Sequence, residues 1–123
     1  MTPARRVLIV DESPESREVL RTLVERQGAE AIEAARPELV TQLAEAGKPD
    51  LILLDLDSDH TENCAASRDL GARASRTDTP IVLFGAVRQQ SAWTSGGEFV
   101  TKPYHYGPLI RRIESMLASR RAA

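Results

Sequence analysis

Four consecutive aliphatic residues, Leu51-Ile52-Leu53-Leu54, follow Pro49-Asp50 and stop at Asp55-Leu56-Asp57. An apolar run without polar alternation is the pattern of a strand buried on both faces, as in a parallel sheet. The same pattern recurs at Val7-Leu8-Ile9-Val10, which runs into Asp11-Glu12, and at Ile81–Phe84 after Pro80. Phe99-Val100-Thr101 runs into Lys102-Pro103, and Ala29–Ala34 reads as a weaker outer strand whose pattern alone is ambiguous. Stretches of helical period lie between these runs. Ser13-Pro14-Glu15 supplies a hydroxyl cap, a first-turn proline and an early acid for a helix that carries Val19, Leu20, Leu23 and Val24 and ends at Gly28. Further helices are expected from Pro37 to Gly47, from about Glu62 to Ala74, and from about Pro108, where Leu109, Ile110, Ile113, Met116 and Leu117 form one stripe. Val87–Ser95 has room for only two turns.

Strand and helix alternate five times, which predicts an α/β fold: a five-stranded parallel sheet covered by helices on both faces, with right-handed crossovers. The natural arrangement is flavodoxin-like, (βα)5 with strand order 2-1-3-4-5 and a shortened fourth helix. That order sets the first and third strands side by side at the switch point, where ligands of open α/β sheets bind beyond the strand ends. Asp11, Glu12, Asp55 and Lys102, with Asp57 as a possible addition, are then expected at one edge.

Length and charge narrow the function. The chain of 123 residues suits one domain over 1–123, and no linker or low-complexity tract points to an attached output domain. A net charge of -2 gives no strong field toward nucleic acid or an acidic membrane. No apolar run is long enough to span a bilayer and no signal core precedes the first strand, so a cytoplasmic protein is expected. The single Cys64 excludes an internal disulfide and a cysteine-based metal site, and reads as a small helix-packing residue.

Clustered carboxylates repel one another and stay ionised together only beside a cation. An oxygen-only site that keeps several waters suits Mg2+. An aspartate carboxylate can also act as a nucleophile toward phosphorus, and a lysine beside it offsets phosphoryl charge. Any one strand-end acid alone reads as a solvated loop residue; three strand ends converging on one place favour a phosphoryl site.

Taken together, Val7-Leu8-Ile9-Val10-Asp11-Glu12-Ser13-Pro14, Pro49–Asp55, Pro80–Phe84 and Phe99-Val100-Thr101-Lys102-Pro103-Tyr104 resemble the receiver domains of two-component response regulators, over essentially the whole chain. The resemblance implies that Asp55 is the phosphoacceptor, that Asp11, Glu12 and Asp55 hold Mg2+ with the backbone carbonyl of Asp57, and that Lys102 contacts the phosphoryl group. It makes Phe99 the aromatic switch residue and Lys102–Pro103 a cis-peptide candidate. It further implies a histidine kinase or phosphotransfer protein as donor, an unknown downstream protein as target, and neither nucleic acid nor membrane as partner. No enzymatic turnover is implied beyond self-phosphorylation and slow autodephosphorylation.

Three departures from the receiver pattern fall on the coupling apparatus. Gly85 stands where receivers carry threonine or serine. Ser58-Asp59-His60-Thr61-Glu62-Asn63 replaces the usual Met-Pro and later glycine, and the stretch from Gly85 to Lys102 is short. Weakened switch coupling follows. The alternatives are a phosphorylation-independent pseudo-receiver acting as an interaction module and, remotely, a haloacid-dehalogenase-like phosphatase, whose nucleophile motif Asp55-Leu56-Asp57 loosely matches. Asp57 adds a side-chain carboxylate near the acceptor, and His60 is a solvated loop residue or reaches the site. Trp93 and Tyr106 either cover core edges or form, with Tyr104, one exposed aromatic patch.

Overall fold

The computed structural model describes residues 4–36, 48–56, 61–93 and 96–122. Along the chain run β1 (Arg6–Val10), α1 (Pro14–Arg26), β2 (Glu30–Ala34), β3 (Leu51–Asp55), α2 (Thr61–Arg76), β4 (Ile81–Gly85), α3 (Val87–Ala92), β5 (Glu98–Thr101) and α4 (Tyr106–Ala122). The strands form one parallel sheet in the order β2-β1-β3-β4-β5, the flavodoxin-like arrangement expected from the alternation. The helix expected from Pro37 to Gly47 lies outside the described residues, as do Asp57 and His60. Four helices are present among the described residues.

Local sequence explains where the elements start and stop. Ser13 Oγ accepts the Ser16 N–H at 3.3 Å and Pro14 opens α1. Gly28 closes it with φ +81, a left-handed conformation that costs glycine little. Between β4 and β5 the crossover helix α3 has only six residues. The chain then returns through Gly97 at φ +97, where a Cβ would stand 2.5 Å from Ile81 Cγ2 and 2.9 Å from the Ile81 carbonyl oxygen. Only glycine lets the backbone pass that close.

Residues of the central strands alternate between two cores. Val7, Ile9, Leu51, Leu53, Val82 and Phe84 pack under α1 and α4, against Leu20, Leu23, Val24, Leu109, Ile113 and Leu117. On the opposite face Leu8, Val10, Ile52, Leu54, Ile81 and Leu83 meet Leu70 and Ala74 of α2. A fully buried aliphatic side chain is worth about 1.5–3 kcal/mol, and β1, β3 and β4 bury almost nothing else. The edge strands β2 and β5 are only half-buried, which is why their apolar patterns are weaker. No helix among the described residues is long and apolar enough to cross a membrane.

Candidate functional site

The register places the strand-end charges. Val10 pairs with Leu54 across β1 and β3, so Asp11 and Asp55 leave adjacent strands one step later. Gly85 pairs with Thr101, and the Lys102 N–H extends that ladder to the Gly85 carbonyl at 2.9 Å. Lys102 Nζ reaches back to Asp55 Oδ2 at 2.5 Å. The Asp55 side chain is 7% exposed and that of Lys102 27%, so the contact lies largely out of solvent. The Lys102–Pro103 peptide is cis.

Asp11 lies deeper in charge terms. One carboxylate oxygen, Oδ1, accepts the Ser13 N–H at 2.9 Å; the other, Oδ2, is buried with no hydrogen-bond partner among the described residues. Its pKa is pushed up to about 6. Burial is the main cause, opposed by the Ser13 N–H; the Asp55 carboxylate, by charge and by a side-chain contact, pushes it further up, and the Lys102 ammonium pulls it down. Arg17 Nη1 donates to the Asp11 carbonyl at 2.8 Å and is tied to Glu33 at 3.5 Å, fixing the backbone from which the carboxylate projects.

Among the described residues, two carboxylates face one ammonium, and one buried carboxylate oxygen has no partner there. That donor set fits Mg2+, which is commonly held by one or two carboxylates with water filling the other positions. Of the residues expected here, Asp11, Asp55 and Lys102 are brought together. Glu12 follows Asp11 but is exposed, and among the described residues no three acidic, histidine or cysteine side chains gather closely enough to hold a metal.

At the adjoining end of β4 the surroundings are neutral. Gly85 is buried, and a Cβ there would stand 2.4 Å from Gln89 Oε1 and 3.2 Å from Phe99 Cζ. Gln89 Oε1 accepts the Ala86 N–H at 2.7 Å, and Gln89 Nε2 donates to the Leu56 carbonyl at 2.6 Å. Phe99 packs against the core on the α2 face. Sequence reasoning picked out Gly85 and Phe99 but missed Gln89. The available signal was a glutamine at the third position of a helix whose cap residue, Ala86, has no side-chain oxygen.

The aromatic residues divide between the two faces. Tyr104 packs on the α1–α4 core, 5.0 Å between ring centroids from Phe84 and 5.8 Å from Tyr106. Its phenol pKa is raised, first by burial, then by Tyr106, with Asp55 and Asp11 adding and Lys102 opposing, so it feels the pocket's charge. Trp93 instead packs on the α2 face and donates its indole N–H to the Gly96 carbonyl at 2.6 Å. The single patch of three aromatics therefore does not form.

Comparison with known proteins places this geometry. The family model described as response regulator receiver domain matches residues 7–114. Protein PilH of Pseudomonas aeruginosa is 27% identical over 118 residues, covering 92% of this chain and 98% of PilH. The phosphate regulon transcriptional regulatory protein PhoB of the same organism is 29% identical over 116 residues, covering 90% of this chain and 51% of PhoB. The chain thus spans about half the length of PhoB and nearly all of PilH. Among solved structures, the signal receiver domain of a signal transduction histidine kinase from Syntrophus aciditrophicus superimposes with a TM-score of 0.80 at 23% identity, over 94% of this chain and 92% of that one. At that identity the likeness shows the fold alone.

Proposed function

The chain belongs to the response regulator receiver family of two-component signalling, and from that premise we propose that it accepts a phosphoryl group on Asp55 with Mg2+ bound at Asp11 and Asp55. The observation that carries this reading is the 2.5 Å contact of Lys102 with Asp55 beside the orphaned, buried oxygen of Asp11. Receiver domains generally bind Mg2+ at such an acidic site. In the transfer, a carboxylate oxygen of Asp55 attacks phosphorus; the O–P bond forms as the donor's P–N or P–O bond breaks. The leaving imidazole or carboxylate takes the bonding pair, and the imidazole then takes its proton from solvent. Lys102 offsets charge on the phosphoryl oxygens, and Arg17 and the Ser13 N–H hold Asp11 in place. A bound Mg2+ would supply the positive charge that lets two carboxylates and a phosphoryl group share one pocket.

The donor is a histidine kinase or phosphotransfer protein and the output is a change in protein contacts, with neither nucleic acid nor membrane as partner. The chain turns over no external substrate; it phosphorylates itself from a donor and slowly hydrolyses its own acyl phosphate. The test is intact mass after incubation with Mg2+ and acetyl phosphate or phosphoramidate. One added phosphoryl group is expected, lost in Asp55→Asn and in excess chelator. The same mass gain in Asp55→Asn or in chelator would remove the proposal.

A second reading, a phosphorylation-independent interaction module, is favoured by one observation: Gly85 brings no hydroxyl and its space is already filled. A hydrogen bond to a charged group is worth roughly 1.5–3 kcal/mol, so its loss weakens coupling by about ten- to a hundredfold.

A further inference from the structure

Gln89 does more than cap a helix. Glutamine at the third helical position often accepts the backbone N–H of the cap residue, as Gln89 Oε1 does from Ala86. Capping would end there. The other end of this amide crosses to the Leu56 carbonyl, 33 positions away in the chain and one residue past Asp55. An N–H can only donate and a carbonyl can only accept, so the two partners fix which way the amide faces. Leu56 already donates its own N–H to the Phe84 carbonyl at 2.8 Å, and the Gln89 bond completes the tie between the exits of β3 and β4.

The space is as telling as the bonds. The amide oxygen stands within 2.4 Å of where a side chain at position 85 would begin, and the Phe99 ring closes the same gap from β5 at 3.2 Å. A Cβ at 85 and the Gln89 amide in its bridge exclude one another, and the Phe99 ring would have to give by a few tenths of an ångström. All the hydrogen bonds of the bridge are made without any group on Asp55. A phosphoryl group moves α3 only by favouring one arrangement over another, and here one arrangement is already complete and neutral.

We propose that Gln89 is a positioning residue that locks α3 and Phe99 to the exits of β3 and β4 in one arrangement, whatever the state of Asp55. The proposal rests on the receiver reading only for the role of Asp55; the lock itself is visible in unmodified protein. Its test is a double-mutant cycle of Gly85→Ala and Gln89→Ala, read by amide hydrogen exchange of Gln90–Trp93 and by chemical-shift changes at Phe99 on adding Mg2+ and beryllofluoride.

Loss of the bridge should speed exchange in α3 by about tenfold, the equivalent of one net hydrogen bond, and enlarge the beryllofluoride-induced shift at Phe99. Gly85→Ala should do the same, because its Cβ evicts the amide, and the double variant should do no more than either single one. Unchanged α3 exchange in Gln89→Ala, or effects that simply add in the double variant, would overturn the lock. Gln89→Leu, which keeps the volume and removes both bonds, gives the same comparison if the alanine variant does not fold. Absence of any beryllofluoride response at Lys102 would count against Asp55 as phosphoacceptor, while the exchange cycle in unmodified protein still decides the lock.

Discussion

Two regions meet at the same edge of the sheet and are built on opposite principles. At the ends of β1, β3 and β5, Asp11, Asp55 and Lys102 form a charged cluster: among the described residues a buried carboxylate oxygen has no partner, and the Asp11 pKa is pushed up to about 6. At the end of β4, Gly85, Gln89 and Phe99 form a neutral contact in which both ends of the amide are bonded and the space is filled. On the proposed function, the first region gains by taking up a cation and an anion and the second gains nothing from them. A receiver fold would then keep its chemistry while the element proposed to report that chemistry is held by packing.

The largest expected effect strikes the charged region. Lys102→Met leaves Asp55 and Asp11 facing each other without the ammonium, and phosphoryl incorporation should slow by about a hundredfold in an intact-mass time course, the scale of losing one preorganised charge contact. An unchanged rate would mean that the 2.5 Å pair is structural only.

Next comes the pH dependence of stability. The folded Asp11 carboxyl has its pKa raised from 3.8 to about 6, so the folded state binds this proton more tightly than the unfolded chain does. Its stabilising contribution is complete below about pH 4 and is lost as pH rises to about 6. In chelator, Asp11→Asn should remove that loss and stabilise the protein at pH 7 by on the order of 2–3 kcal/mol. Thermal melts across pH 4–8 check this. A melting profile with the same slope in both proteins would show that Asp11 is not the strained group, and Mg2+ should recover stability of the unsubstituted protein above pH 6.

The third effect sharpens the contrast from the neutral side. Gly85→Thr puts branched atoms where Gln89 Oε1 and Phe99 Cζ stand, and overpacking of this kind costs about 1–3 kcal/mol. Adding Gln89→Ala to the same chain should return the steric part of that loss in a denaturant melt, with the loss of the bridge remaining. Gly85→Thr that melts like the unsubstituted protein would show that the gap is roomier than the contacts indicate. The smallest effect is expected at an exposed ion pair: Arg21→Ala breaks contacts with Glu25 and Glu33 but leaves the Arg17–Glu33 pair, and should change stability by about 0.5 kcal/mol or less.

The fold was legible because its central strands are apolar on both faces. Leu51–Leu54 and Val7–Val10 admit no other reading at that length, and Ser13-Pro14 and Gly28 mark both ends of α1. Alternation predicted a parallel sheet, and the natural order for it, 2-1-3-4-5, set Asp11 beside Asp55. What sequence could not supply was side-chain direction at the strand ends. Asp11 and Glu12 are adjacent in the chain, yet the backbone turns one carboxylate under the sheet edge and leaves the other exposed. Gly85 was legible as an absence, but what fills an absence depends on which neighbour is long enough to reach it. A glutamine four residues on, in a helix of six, carries no pattern that announces a bond to Leu56. The placement of the aromatic residues stayed open for the same reason: Phe84 and Phe99 lie on opposite faces of the sheet, and Tyr104 and Trp93 follow different cores.

The most direct test of the contrast between the two regions is an amide chemical-shift map of the unsubstituted protein with and without Mg2+ and beryllofluoride. Large shifts are predicted at Asp11, Asp55 and Lys102, with small ones from Gly85 through Trp93 and at Phe99. Large shifts running through α3 would contradict the account, because they would show that a group on Asp55 moves the very contact that the structure holds closed.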